Sequence, residues 1–170
     1  VVCPVSMLLH ADGRCLCIGG FSYDVLSKAC VGCEPGYFKR GNGNTGVCLA
    51  CEYPTSSYAT HEECQACQQG YYDDRDADNP LPVCRACSED GYSCPWNTTV
   101  ETLNISIGYW RLGPRSQEIH ECDHSDSWTP CPGGTVSGLH GSQYCTDGHT
   151  GPLCKVCLDG GDGKRHYEAD

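Results

Sequence analysis

The sequence is poor in the large apolar side chains that normally build a protein interior. Leu, Ile, Val and Phe together number 27 of the 170 residues, and Met occurs once. Acidic residues outnumber basic residues by 22 to 11, which gives a formal net charge of −11. A chain with so few core-forming residues and so much net charge stays disordered unless something else constrains it. The composition therefore excludes a single hydrophobic core that spans the whole chain.

Long apolar runs, clustered basic residues and helix patterns are also missing. No stretch approaches the roughly 20 apolar residues of a transmembrane helix, so we predict no direct membrane insertion in this segment. The scarcity of Lys and Arg argues against nucleic acid or anionic lipid as partners. With 21 Gly, 10 Pro and no sustained apolar period of 3.6, the chain is expected to form little or no helix.

Cysteine is what the chain has in quantity, with 17 copies. That density is typical of a disulfide scaffold, and stable disulfides indicate a secreted, extracellular or cell-surface setting. Each cross-link contributes on the order of 3 kcal/mol in the loop-entropy model. We predict a small disulfide-rich fold: an elongated series of stapled units with short β-hairpins.

An internal repeat organises these cysteines. Residues 30–38 and 64–72 both read CxxCxxG followed by two aromatic residues, and the copies start 34 residues apart. Gly36 and Gly70 allow a turn with positive φ just after the second cysteine. Repetition of this kind indicates small units that contact mainly their neighbours.

Several motifs resemble known extracellular modules. The CxCxxGF…C pattern of residues 15–30 and the CxxGxxGxxC pattern of residues 145–154 resemble the C-terminal half of epidermal growth factor (EGF)-like modules. The CxxCxxGY(Y/F) units resemble cysteine-rich repeats of the ephrin-receptor, laminin and tumour-necrosis-factor-receptor type. Residues 108–157 are similar to segments that recur in very large surface proteins of algae and other protists.

These resemblances, together with the sequons and the cysteine-free stretch after Cys94, predict five segments. The segments are an EGF-like module at 1–30, tandem CxxCxxGY(Y/F) repeats at 31–94, a glycosylated β-rich connector at 95–121, an EGF-like module at 122–157 and the start of a further module at 158–170. We expect a structural building block of a cell-surface appendage, filament or matrix, whose partners are neighbouring modules or subunits, including self-assembly. The alternative is a receptor or adhesion ectodomain that binds a protein ligand.

Two disulfide schemes remain open, because sequence alone does not fix connectivity. The favoured scheme joins nearest neighbours and leaves Cys157 to pair beyond residue 170 or with another chain. The other interlocks each CxxC with the next, as in furin-like repeats. The nearest-neighbour pairs are Cys3–Cys15, Cys17–Cys30, Cys33–Cys48, Cys51–Cys64, Cys67–Cys84, Cys87–Cys94, Cys122–Cys131 and Cys145–Cys154.

Modification and metal motifs complete the pattern. Asn97 and Asn104 each begin an Asn-x-Ser/Thr sequon, which predicts N-linked glycans. The carboxylates of Asp74, Asp76 and Asp78 alternate as at the start of a calcium loop, although Asn79 and Arg85 occupy positions where an EF-hand needs Gly and Glu. We retain a looser calcium site there, and otherwise predict no cofactor.

Two metal motifs are interpreted as coincidental. Paired CxxC motifs over residues 30–51 and 64–87 fit zinc-ribbon spacing, but the sequons and the odd cysteine count favour disulfides. His120 to His124 matches the metalloprotease pattern HExxH, which requires a helix. Gly113-Pro114 and Pro130 lie close by, so we interpret the match as a polar loop and predict no enzyme activity.

Overall fold

The computed structural model describes residues 2–88, 90–123, 128–135, 141–158 and 165–167. The predicted small disulfide-rich fold is confirmed by eight disulfides, short paired strands and little helix. The chain forms two compact units: Val1–Gln68 with Arg75–Cys84, and Gln69–Asp74 with Arg85–Asp170. The described residues contain no helix that is long and apolar enough to cross a bilayer.

The first unit is a succession of antiparallel hairpins. Each pairs consecutive strands: β1 with β2, β3 with β4, β5 with β6 and β7 with β8. The strands are β1 (Met7–Leu9), β2 (Cys15–Cys17), β3 (Phe21–Asp24), β4 (Ala29–Gly32), β5 (Tyr37–Phe38), β6 (Leu49–Ala50), β7 (Thr55–Ser56) and β8 (Ala66–Cys67).

The second unit uses small sheets and three short 3₁₀ turns. Its strands are β9 (Tyr71–Asp73), β10 (Cys84–Ala86, whose first residue belongs to the first unit), β11 (Tyr92–Ser93), β12 (Thr98–Thr99), β13 (Asn104–Ile105), β14 (Tyr109–Trp110), β15 (His120–Glu121), β16 (His149–Thr150), β17 (Val156–Leu158) and β18 (Arg165–Tyr167). The sheet orders are β10-β9-β12, β11-β13, β14-β15 and β16-β17-β18. The 3₁₀ turns are Val100–Thr102, Ser142–Tyr144 and Pro152–Cys154.

The connector predicted at 95–121 does not form a hairpin of its own. Its strands pair outward: β12 runs parallel to β9, β13 pairs with β11 and β14 pairs with β15. From residue 99 to 112, polar residues alternate with β-branched or aromatic residues, a pattern that predicts a strand or hairpin. The 3₁₀ turn Val100–Thr102 and the turn at Gly108 interrupt this pattern and prevent one continuous strand. The five-segment division and the elongated shape stay predictions.

One turn recurs where hairpins begin. At Gly36, φ is +85°, the next residue's N–H donates to the Glu34 carbonyl at 3.0 Å, and the glycine carbonyl accepts from Cys51 N–H at 2.8 Å. A positive φ costs other residues about 1–2 kcal/mol, which explains the glycine. The same closing bond joins Gly20 to Cys33, Gly70 to Cys87 and Gly108 to Cys122.

Two copies of this turn contain no glycine. Pro54, which follows a cis peptide bond, accepts the closing bond from Gln68 N–H at 2.9 Å. Asn97 takes φ +60° three residues after Cys94 and just before β12. Asn tolerates this left-handed region better than most side chains. In the first copy of the 34-residue repeat, one hairpin therefore begins at Gly36 and the next at Pro54. In the second copy, β9 follows Gly70 and β11 follows Gly91, which has φ +87° and accepts Ser106 N–H at 2.9 Å.

The eight disulfides have the same pairs as the nearest-neighbour scheme. In a typical copy, Cys33 precedes the turn, and its partner Cys48 directly precedes the returning strand β6. The bridge therefore closes the base of the same hairpin that the turn opens. All cysteines with zinc-ribbon spacing are disulfide-bonded, so they offer no thiolate to a metal.

The two units differ in what they bury. Among described residues of the first unit, the buried apolar side chains are Cys17, Cys33, Ala66 and Cys67. The second unit buries Tyr72, Leu103, Ile105, Trp110, Tyr144 and Val156, together with the cysteines Cys94, Cys122, Cys131 and Cys154. The first unit is therefore held by covalent closure, whereas the second also has an apolar core.

Tryptophan Trp110 is a central member of that core, whereas the other two tryptophans are 42% and 49% exposed. Its indole Nε1–H donates to the carbonyl of Gly141 at 3.0 Å. A Cβ atom at Gly141 would lie 2.5 Å from the ring, so only glycine allows this approach. Trp110 therefore packs locally, within the core of the second unit.

The most deeply buried cation, Arg111, joins three parts of the second unit. Its Nε donates to Tyr144 Oη at 2.8 Å, and its Nη atoms donate to the carbonyls of Val100, Glu101 and Pro114 at 2.6, 3.0 and 3.0 Å. The guanidinium also lies 5.5 Å from the centre of the Tyr144 ring. Satisfied donors make its complete burial tolerable, because an unpaired buried charge would be very costly.

We predict that Tyr144→Phe destabilises the second unit by about 1–3 kcal/mol, because it removes the acceptor of a buried, charged donor and keeps the ring. Chemical denaturation followed by tryptophan fluorescence measures the change. Arg115→Ala is the matched control, since its ion pair with Glu101 is exposed and should change stability by less than about 1 kcal/mol. Equal effects of the two substitutions would contradict the role given to the buried hydrogen bond.

Stepwise reduction should unfold the first unit before the second. The first unit contains five of the eight bridges and almost no apolar interior, so loss of its cross-links leaves little to oppose chain entropy. Hydrogen exchange at increasing reductant concentration measures this through peptides over residues 15–32 and 103–110. Simultaneous loss of protection in both peptides would show that the apolar core adds nothing to the stability of the second unit.

Candidate binding surfaces

The second unit carries a concave surface that we name the Trp96 groove. Its volume is about 650 Å³, and its lining includes Gly70, Tyr92, Ser93, Cys94, Pro95 and Trp96. Tyr72 packs edge-on against Tyr92, with ring centroids 6.3 Å apart. Burial raises the pKa of Tyr72, and the neighbouring Tyr92 raises it further. The phenol beneath the groove is therefore neutral at physiological pH.

Both sequon asparagines lie beside this groove. Asn97 directly follows Trp96, and both Asn97 and Asn104 are partly exposed. The Nδ2 atom of Asn104 donates to Ser93 Oγ at 3.1 Å, across the pair formed by β11 and β13. Nδ2 is the atom that an N-linked glycan would occupy. Their glycosylation stays a prediction.

The first unit carries a second surface, which we name the Phe38 groove. Its volume is about 460 Å³, and its lining includes Phe38, Arg40, Tyr53, Leu81 and Pro82. The Arg40 guanidinium lies 5.7 Å from the Phe38 ring centre, a cation–π contact. The Tyr53 side chain is 66% exposed. Aromatic rings with a flanking arginine are the composition typical of protein interfaces.

The three predicted calcium carboxylates have different environments. Asp74 is partly buried, and its carboxylate contacts Arg85 Nε and Gln117 Nε2, all within the second unit. Asp76 and Asp78 are exposed and belong to the first unit. In the part of the chain that the structure describes, no three His, Cys, Asp or Glu side chains form a metal site. A calcium ion at these residues stays a prediction.

The HExxH match lies on backbone that does not suit a metalloprotease. His120 and Glu121 form the two-residue strand β15, and His124 lies outside the described residues. Neighbouring residues of a strand point to opposite sides, whereas the motif requires a helix to bring its two histidines onto one face. This supports the interpretation of the match as coincidental.

The odd cysteine, Cys157, lies in the central strand of the sheet β16-β17-β18 and is free within this chain. It is half-buried, and its cross-strand neighbour is His149. Its pairing with a cysteine beyond residue 170, or in another chain, stays a prediction.

Comparison with known proteins finds two weak likenesses. Ephrin type-A receptor 6 of Rattus norvegicus is 24% identical over 141 residues, which cover 74% of this chain and 13% of the receptor. Ephrin type-A receptor 6 of Mus musculus is 35% identical over 60 residues, or 35% of this chain and 6% of the receptor. The chain thus spans a small part of the length of these relatives.

No family model matches the chain, and no solved structure matches it. The likeness agrees with the ephrin-receptor-like cysteine-rich repeats, whereas the EGF-like modules and the resemblance to algal and protist surface proteins stay predictions. Together, the disulfides and this likeness indicate a cysteine-rich extracellular or cell-surface module.

Proposed function

We propose that this chain is a non-catalytic segment of a cell-surface receptor or adhesion ectodomain, and that its partners are proteins. The observation that carries the proposal is the likeness to an ephrin type-A receptor in a chain with eight disulfides. It favours this role over that of a filament or matrix building block, which stays a prediction.

The hairpin construction supports a scaffold role. A cross-link at the base of each hairpin of the first unit removes conformational freedom from the backbone, so exposed side chains are presented at a low ordering cost. The mechanism is then mechanical: the cross-linked backbone fixes the positions of surface residues for a partner protein.

The Phe38 groove is the surface that we assign to the protein partner. It combines the exposed Tyr53, the apolar Leu81 and the charged side chains of Arg40 and Glu52 in one shallow depression. Binding energy in protein interfaces concentrates on Tyr, Trp and Arg side chains that become desolvated. Tyr53 is therefore the residue whose truncation should weaken binding most.

The glycans belong to the same proposal. We assign N-linked glycans to Asn97 and Asn104, since both residues are partly exposed and both complete an acceptor sequon. Their presence agrees with the oxidising secretory route that the disulfides require.

A binding experiment on the secreted chain tests the receptor role. The chain is immobilised and exposed to a panel of purified extracellular domains; we expect one to bind, and Tyr53→Ala to weaken it at least tenfold, about 1.4 kcal/mol. Tyr58→Ala is the control, because Tyr58 is exposed in the same unit and does not line the groove. Regular fibres of the chain alone in negative-stain electron microscopy, with no binding partner, would favour the filament role instead.

The calcium prediction has a separate test. Because Arg85 and Gln117 already engage Asp74, binding should be weak, with a Kd in the range of about 10⁻⁴–10⁻³ M that extracellular modules show. Millimolar calcium should then raise the melting temperature, and the double substitution Asp76→Asn and Asp78→Asn should abolish the rise. An equal rise with magnesium, or no rise, would count against a calcium site.

A further inference from the structure

The Trp96 groove is bordered by two glycan attachment points. Asn97 follows Trp96 in the chain, and the Asn104 side chain contacts Ser93, which lines the groove. The sequons alone do not predict a concave surface beside the two asparagines, whereas the structure places the Trp96 groove there. A saccharide attached to either asparagine would therefore begin next to the groove.

The backbone at Asn97 fixes where its glycan would start. Asn97 adopts φ +60° just before β12, at the turn position that Gly36 and Gly70 occupy before β5 and β9. The Thr98 hydroxyl donates to the carbonyl of Pro95 at 2.6 Å and closes the turn on its other side. A glycan on Asn97 therefore starts from an ordered turn, one residue from the indole of Trp96.

The chemistry of the groove suits a sugar. The Trp96 side chain is 42% exposed, so part of the indole is accessible. The face of an aromatic ring is electron-rich and apolar, and the C–H groups of a pyranose ring pack against such a face. Ser93 adds a hydroxyl for hydrogen bonding, and a volume of about 650 Å³ lies within the range of small-ligand sites.

We propose that the Trp96 groove holds the first N-acetylglucosamine residues of the glycan on Asn97, which pack against the indole of Trp96. The inference rests on the proposed glycosylation of Asn97. Transfer from a lipid-pyrophosphate-linked oligosaccharide forms the bond between Asn97 Nδ2 and sugar C1. It breaks the bond from C1 to the pyrophosphate oxygen, and it releases one amide proton with the lipid pyrophosphate.

A sugar bound in the Trp96 groove gives the two grooves different roles. A glycan in the Trp96 groove covers the exposed indole and keeps proteins away from that side of the second unit. The Phe38 groove has no sequon among its lining residues and stays open to a partner. The glycan then acts as a part of the folded surface and also restricts where proteins can bind.

The test uses the chain secreted by eukaryotic cells and trimmed by an endoglycosidase to one N-acetylglucosamine per site. Glycopeptide mass spectrometry first measures occupancy at each asparagine. Nuclear magnetic resonance then measures the acetyl methyl signal of the sugar on Asn97, which ring currents should shift upfield. Trp96→Leu should abolish the shift, because it keeps apolar bulk and removes the ring. Trp128→Leu, a change at an exposed tryptophan outside the groove lining, should retain it.

Two glycan-deficient variants identify the source of the shifted signal. Asn97→Gly removes the attachment point and suits the positive φ, so the fold is preserved and the shifted signal should disappear. Asn104→Gln should leave that signal in place. The mass of the unreduced protein confirms that each variant retains its eight disulfides.

The outcomes distinguish the packing of the sugar against Trp96 from the glycosylation of Asn97. If Asn97 is glycosylated but shows no upfield shift, the proposed packing of the sugar against Trp96 is wrong. A shift that persists in Trp96→Leu has the same meaning. Neither result contradicts glycosylation of Asn97. A shift lost in Asn104→Gln but kept in Asn97→Gly assigns the groove to the other glycan and overturns the proposal. If Asn97 carries no glycan in the wild-type chain, both the glycosylation and the packing of the sugar are wrong. Protein binding at the Phe38 groove is measured in a separate experiment and is not affected by this result.

Discussion

In this protein, disulfide bonds supply much of the stabilisation that a hydrophobic core supplies in most other proteins. In the first unit, the buried apolar side chains are three cysteines and Ala66, so burial alone stabilises little. Each bridge acts on the unfolded chain by restricting one loop, and each is worth on the order of 3 kcal/mol by loop closure. Because that stabilisation is local to a hairpin, the exposed side chains can vary in chemistry while the backbone is retained. A binding surface such as the Phe38 groove is compatible with this construction.

The second unit combines covalent closure with a small interior. Arg111 is the centre of that interior, and its hydrogen bonds join backbone carbonyls that no strand pairing satisfies. A guanidinium offers five donors in a fixed plane, which suits a place where several irregular segments converge. The apolar residues Leu103, Ile105 and Trp110 pack in the same core. The connector residues therefore take part in the fold of this unit as much as its cysteines do.

The sequence predicts those parts of the fold in which a residue type has a single common structural role. Cysteine density indicates a disulfide scaffold, and a glycine after CxxC indicates a turn with positive φ. Pro54 and Asn97 occupy equivalent turns but carry other side chains, so the glycine pattern misses the turns before β7 and β12. Arg111 is missed because charged residues are almost never fully buried. The grooves are missed because residues from separate hairpins line them, and no local pattern records that proximity.

The hairpin that begins at Gly36 contains its own turn, closing hydrogen bond and cross-link. A gene duplication that copies such a segment in frame would bring every element needed for its stability, and it would require no compensating change in a shared interior. Proteins built in this manner can gain or lose length in steps of one hairpin at a small energetic cost. Their evolutionary history should therefore consist of insertions and deletions of whole segments, with the cysteine spacing inside each segment largely preserved.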